Sequence, residues 1–152
     1  MRILVQECLE AKVVIEGKTV GEINRGEVLF VGFTSGDDEN TISFMIDKLL
    51  KLRIFPDASG KTNCNLSQVS GRVLAISQFT LYADVRHGNR PSFVSALPSS
   101  ESEKLYDRFK AMLLEKVPDA QFGIFGADMK VHLINDGPFT ILLDSKELMK
   151  HE

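Results

Sequence analysis

The chain has 152 residues, of which 43% are hydrophobic, 26% charged and 8% aromatic. That length suits one compact domain with a real core and is short for two. These fractions exclude a disordered chain, and 11 Gly with 5 Pro exclude collagen-like or linker composition. A net charge of −3 excludes a general DNA-coating protein, so any nucleic-acid site must be local.

Taken from the start, Met1 to Glu10 holds an apolar run too short for a secretory core, and Gln6 and Glu7 interrupt it. No stretch approaches the roughly 20 apolar residues of a membrane span. Cys8 and Cys64 form no CxxC pair and read as thiols in a reducing compartment. A cytoplasmic protein without membrane contact is expected.

Ile3-Leu4-Val5 and Ala11 to Ile15 are short strand signals, and Glu16-Gly17-Lys18 is a hairpin turn into Thr19-Val20. After a second turn at Asn24-Arg25-Gly26, Val28 to Phe33 is apolar on both faces and should be a central strand. Asp37 to Arg53 is the first helix, with Ile42, Met45, Ile46, Leu49 and Leu52 at helical spacing. Asp37, Asp38 and Glu39 sit in its first turn and Lys48, Lys51 and Arg53 in its last. Lys61 to Gly71 is polar and predicts a mobile flap.

Gly71 to Asp84 is the longest strand signal, with Ser77 and Phe79 on one face and Gln78 and Thr80 on the other. The second helix is predicted from a capping box, Ser100 with Glu103, to Pro118, burying Leu105, Phe109, Met112 and Leu113. Two closing strands, Met129 to Ile134 and Phe139 to Leu143, flank the turn Asn135-Asp136-Gly137-Pro138. With short turns and more strands than helices, the pattern argues for an α+β domain spanning 1–152 with a largely antiparallel sheet.

No familiar catalytic constellation is present. His87, His132 and His151 lack metal-ligand spacing, and there is no HExxH, GxSxG or P-loop, so neither metal nor cofactor is expected. A Ser-His-Asp triad from Ser77 with His87 or His132 has no local spacing to support it. His132, alternating with Val131 and Leu133, reads as a solvated strand position.

Two segments stand apart. Ser77-Gln78-Phe79-Thr80 sets polar groups in an apolar strand, where an unpartnered hydroxyl or amide costs about 1–3 kcal/mol. They form either a satisfied core network or a pocket wall. Asn135-Asp136-Gly137-Pro138-Phe139-Thr140 is either a plain hairpin or something more specific.

Together, Ser77 to Leu81 and Asn135 to Thr140 resemble the two signature motifs of the D-aminoacyl-tRNA deacylases, the D-tyrosyl-tRNA deacylase family. The resemblance extends through Leu52 to Phe55, Gly88 to Phe93, Leu105-Tyr106 and Phe125 to Met129. The family usually begins with Gln-Arg-Val, whereas here Gln6 is followed by Glu7 and Cys8. An acid thus replaces the arginine associated with holding the Gly-Pro motif.

The resemblance implies an α+β fold whose largely antiparallel sheet curls into a barrel-like core, with two main helices packed against it. It implies a homodimer that hydrolyses the ester of D-aminoacyl-tRNA at the acceptor end, and contacts no DNA. Glycyl-tRNA should also be cleaved, since glycine has no side chain to reject. Ser77, Gln78, Phe79 and Thr80 would form the catalytic pocket, with the Phe79 and Thr80 amides facing the oxyanion and Thr80 positioning groups rather than attacking. Gly137 and Pro138, joined by a cis peptide and flanked by Asn135 and Thr140, would enter the other subunit's site and exclude L-amino acids with rigid backbone. Arg53, Arg86 and Arg90, with Lys48 and Lys51 nearby in sequence, are the candidate tRNA contacts.

Overall fold

The computed structural model describes residues 1–151; the expected domain boundary at Glu152 lies outside them. The first strand, β1 (Arg2–Ile15), is continuous over 14 residues. The polar stretch Gln6 to Glu10 does not end it. Instead, β1 changes neighbour there: Arg2 to Cys8 pair with β3 (Gly26–Gly32), and Ala11 to Ile15 pair with β2 (Lys18–Ile23). The turn between β1 and β2 has positive φ at both Glu16 and Gly17, the requirement of a tight two-residue hairpin.

As its apolar run predicts, β3 is central. It pairs antiparallel with β1 and parallel with β6 (Arg72–Ser77). Between them in the chain lie α1 (Glu39–Lys51) and a small hairpin of β4 (Phe55–Pro56) and β5 (Thr62–Cys64). A crossover of that length is what a parallel pair needs. The same holds for β6 and β7 (Gln121–Phe122), which are separated by α2 (Ser99–Lys116) and also parallel. The antiparallel pairs are therefore supplemented by two parallel ones. The end strands come together: a Cβ on Gly21 of β2 would stand 3.0 Å from the Phe122 carbonyl of β7. The sheet is nearly closed into a barrel.

Both main helices cover one core, in which Ile42, Met45, Ile46 and Leu49 of α1 join Tyr106, Phe109 and Leu113 of α2 against Ile3, Val5, Leu29 and Val31. A second cluster, with Val13, Ile23, Val28, Leu74 and Ile76, fills the inside of the curl. Asp38 caps α1 by accepting the Thr41 N–H at 2.9 Å. The expected capping box of α2 is absent. Pro98 is the N-cap, and its carbonyl accepts the Ser102 N–H, so the helix begins one residue before Ser100.

Lys61 to Gly71 is braced rather than open. Asp57 accepts the N–H groups of Ser59 and Lys61, and Asn65 and Gln68 exchange side-chain to backbone hydrogen bonds. The polar residues that suggest a flap are its turn-forming braces. The last strand, β8 (Lys130–Asp144), runs 15 residues along β1 before a short α3 (Ser145–Leu148). Among the described residues no helix is long and apolar enough to cross a membrane.

Candidate active site

The strand carrying Ser77 is shorter than its pattern suggests. β6 ends at Ser77, the Gln78 N–H donates to Val31 O at 2.7 Å, and Phe79 to Tyr82 wind into a 3₁₀ turn. The alternating placement of Ser77 to Thr80 therefore fails, because a 3₁₀ turn does not keep a two-residue period. Ser77 and Gln78 are half-buried while Phe79 and Thr80 are exposed, so these groups form no core network.

The turn is held from both sides. Gly32 lies beneath it, where a Cβ would meet the Gln78 carbonyl at 2.8 Å, so only glycine admits this approach. Arg2 clamps it from above: its Nη1 donates to Leu81 O at 2.7 Å, its Nε donates to Asp144 at 2.9 Å, and its guanidinium lies 4.6 Å from the centre of the Tyr82 ring. Arg2 carries no sequence signal for this role, because its partners Leu81, Tyr82 and Asp144 are all distant in the chain.

Beside the turn is a cleft of about 550 Å³, within the range of small-molecule sites. Ser77, Gln78 and Phe79 line one wall; Phe93 meets Phe79 edge-on with ring centres 5.0 Å apart. The first turn of α2, through Ser99 and Ser102, and the segment Phe125 to Met129 complete it. The contribution of α2 was not legible locally. Thr80 is off the wall; its Oγ1 accepts a hydrogen bond from Gln78 Nε2.

Among the described residues, neither the Phe79 nor the Thr80 N–H donates to a protein acceptor; the next amide, Leu81, bonds Gln78 O at 3.3 Å. Two adjacent amide donors thus stand uncommitted where the turn opens beside the cleft. His87 is exposed in its loop, and His132 is exposed on the face of β8 opposite to Val131, which lines the cleft. The wall holds no Ser-His-Asp triad.

The Asn135–Thr140 segment is not a hairpin. Its two flanks pair with the same strand: Asn135 with Cys8 and Thr140 with Gln6. Asp136, Gly137, Pro138 and Phe139 therefore stand opposite the single residue Glu7, as an excursion from β8 without chain reversal. The Gly137–Pro138 peptide is cis. Gly137 has φ +127°, a conformation L side chains rarely adopt, and a Cβ there would meet Phe139 N at 3.0 Å.

Asn135 braces the excursion by accepting from Phe139 N at 2.7 Å and donating to Thr140 Oγ1 at 3.0 Å; Gln6 Nε2 donates to the same hydroxyl at 3.0 Å. None of residues 135–140 lines the cleft of their own chain.

The candidate basic residues are dispersed. Arg86 makes a two-pronged bond to Asp84, and this pairing pulls the Asp84 carboxyl down to about 2. Arg53 donates to Asn63 O on the β4–β5 hairpin and lines no part of the cleft, and Arg90 is exposed in the loop before Phe93.

A family profile described as D-Tyr-tRNA(Tyr) deacylase matches residues 4–144. The chain belongs to the D-Tyr-tRNA(Tyr) deacylase family. It is 50% identical over 148 residues to a protein of Thermotoga petrophila named D-aminoacyl-tRNA deacylase, covering 97% of this chain and 99% of that one. A protein of the same name from Listeria innocua is 46% identical over 150 residues, covering 99% and 100%. Among solved structures, one titled c-Myc DNA Unwinding Element Binding Protein superposes with a TM-score of 0.90 at 35% identity, over 95% of this chain and 98% of that one. Another, titled as a probable eukaryotic D-amino acid tRNA deacylase, shares the fold at a TM-score of 0.80 and 17% identity, over 93% and 97%.

Proposed function

We propose that this protein is a hydrolase that cleaves the ester joining a D-amino acid to the 3′-terminal adenosine of tRNA, releasing the free amino acid and tRNA. The observation that carries this reading is the pair of uncommitted amides at Phe79 and Thr80 beside the cleft, in a chain of this family. An aminoacyl ester is already activated, and the neighbouring ribose 2′-hydroxyl assists attack by water. The protein then has to position the ester and stabilise the oxyanion, which two preorganised N–H donors do well. Ser77 and Gln78 orient the substrate, Phe79 shapes the pocket with Phe93, and Thr80 holds Gln78 rather than acting as a nucleophile. The reaction so described draws on no metal or cofactor.

Selection against L-amino acids falls to Gly137 and Pro138 of a second subunit, with Asn135 and Thr140 holding them. Two features support a shared site. The excursion is absent from its own chain's cleft. Moreover, Ser77 pairs with Val31, and Glu7, beneath the excursion, pairs with Glu27; these levels are four residue steps apart along β3, about 13 Å of strand. A homodimer with an isologous interface brings one subunit's excursion to the other's cleft. Backbone rejects an L side chain because it cannot move aside. Glycyl-tRNA, with nothing to reject, is accepted.

With a net charge of −3, the RNA contact is confined to the acceptor end, through Arg86, Arg90 and Arg53, and DNA is not a partner. The setting is cytoplasmic, with residues 1–152 acting as one domain.

The discriminating experiment compares D-tyrosyl-tRNA with a D-tyrosine ester lacking tRNA. Rapid cleavage of the first and slow cleavage of the second is expected. Equal cleavage of both indicates a small-ester hydrolase, and tRNA binding without turnover indicates a binding module.

A further inference from the structure

Along β1, the face that sends Ile3 and Val5 into the helical core sends Glu7 next; on β3 the same face carries Glu27 before Leu29 and Val31. Glu7 and Glu27 are directly opposite in the β1–β3 ladder, which places their Cβ atoms about 4.5–5.5 Å apart. Glu7 is 7% exposed and Glu27 1%, and each has a carboxylate oxygen with no hydrogen-bond partner. Two facing buried carboxylates, both ionised, are an unfavourable arrangement.

The neighbouring charges do not resolve it. Arg25, in the turn before β3, is the cation acting on Glu7, and its guanidinium lies 5.7 Å from the centre of the Phe55 ring. Asp136, from the excursion, adds a further acid, and the Cys8 thiol is pushed up to about 11 by burial together with Glu27, Asp136 and Glu7. Arg72, next along β6, is turned to Asp119 at 2.8 Å. One cation thus faces three acids.

We propose that Glu7 and Glu27 share a single proton, as a carboxylic acid paired with a carboxylate, and that this pair positions the excursion carrying Gly137 and Pro138. Glu7 is the one β1 residue beneath the excursion, and Phe139 packs on the same core. Loss of the shared proton puts a second negative charge under Asp136 and drives the excursion off its seat. Burial, and then the facing Glu7, push Glu27 up to about 8, while Glu7 is raised by burial and Asp136 and held back by Arg25.

The positioning role rests on the reading of Gly137 and Pro138 given above, so the test has an arm that needs no substrate. In that arm, thermal unfolding of wild type and Glu27→Gln is followed from pH 5 to 9. The unfolded chain releases the proton at an ordinary carboxylate value and the folded one only near 8, so wild-type stability falls as pH rises across that window. Glu27→Gln lacks the fall and melts above wild type at the alkaline end. Should that variant fail to fold, Glu7→Gln leaves Glu27 raised by burial alone, and its fall is smaller than in wild type and ends at lower pH.

In the second arm, D-tyrosyl-tRNA deacylation, corrected for uncatalysed hydrolysis, drops several-fold above pH 8 in wild type, and the glutamine variant abolishes the drop. Parallel melting profiles overturn the shared proton whatever the activity. Divergent melting with coincident pH–rate profiles overturns the positioning role. Absence of wild-type turnover overturns the function and with it the positioning role, while the melting arm still reads the proton.

Discussion

Asn135 closes the excursion of β8 onto Phe139: its Oδ1 accepts the Phe139 N–H at 2.7 Å, and its Nδ2 donates to the Phe139 carbonyl at 3.3 Å. One side chain thereby takes up both backbone groups of Phe139, the last of the four excursion residues. Asn135→Ala removes these bonds and the one to Thr140, each worth about 0.5–1.5 kcal/mol net. Deacylation of D-tyrosyl-tRNA should fall by about tenfold or more. The melting temperature should fall as well, by about 2–4 °C for each kcal/mol lost. Steady-state kinetics beside a thermal melt checks both halves.

Arg2 clamps the turn that carries the two uncommitted amides, through Leu81 O and the Tyr82 ring. Arg2→Ala should lower kcat more than it raises KM, since Arg2 lies off the cleft wall and acts by holding Phe79 and Thr80 in place. A variant with normal kcat and raised KM would assign Arg2 to substrate binding instead.

Gly32 and the Gln78 carbonyl are close enough that a methyl group must displace one of them. Gly32→Ala should destabilise the fold by about 1–3 kcal/mol, in the manner of an overpacked core, and reduce activity by shifting Gln78. Denaturant unfolding and the rate on D-tyrosyl-tRNA, measured on the same preparation, test the link.

Thr80 accepts its hydrogen bond from Gln78, an amide that cannot act as a base. Thr80→Ala should weaken turnover modestly, and mass spectrometry of the working enzyme should find no aminoacyl group on the protein. An acyl adduct on Thr80, or activity reduced to the uncatalysed rate with the fold intact, would make it the nucleophile.

The parts of this molecule legible from sequence are those whose signals are local. The spacing of Ile42, Met45, Ile46 and Leu49 marks α1, and the two-sided apolar run of β3 marks a central strand. Three features escaped because the deciding partner is distant in the chain. β1 passes through its polar stretch because two different strands take up its edge in succession. The strand-like residues after Ser77 wind into a 3₁₀ turn that Arg2 clamps from the start of the chain. The turn formers at Asn135 to Pro138 signal a reversal, but both flanks pair with β1, so the chain bulges outward and continues. The site motifs were visible as residue types, and their geometry was not.

If each cleft is completed by the other subunit, two inactive proteins should rescue one another. A subunit altered at Gly137 and Pro138 keeps its cleft, and one altered at Gln78 and Phe79 keeps its excursion. After subunit exchange, each heterodimer should hold about one working site, given two-fold pairing. Heterodimers confirmed by mass but devoid of activity would place the excursion and the cleft in the same chain.

The central claim is stereoselective hydrolysis at the Ser77–Thr80 cleft, and the most direct measurement uses matched D-tyrosyl-tRNA and L-tyrosyl-tRNA under identical conditions. The account predicts rapid release of D-tyrosine, an L substrate decaying at its uncatalysed rate, and a reduced D activity in Phe79→Ala. Comparable rates on the two enantiomers, or an undiminished D activity in Phe79→Ala, would contradict it.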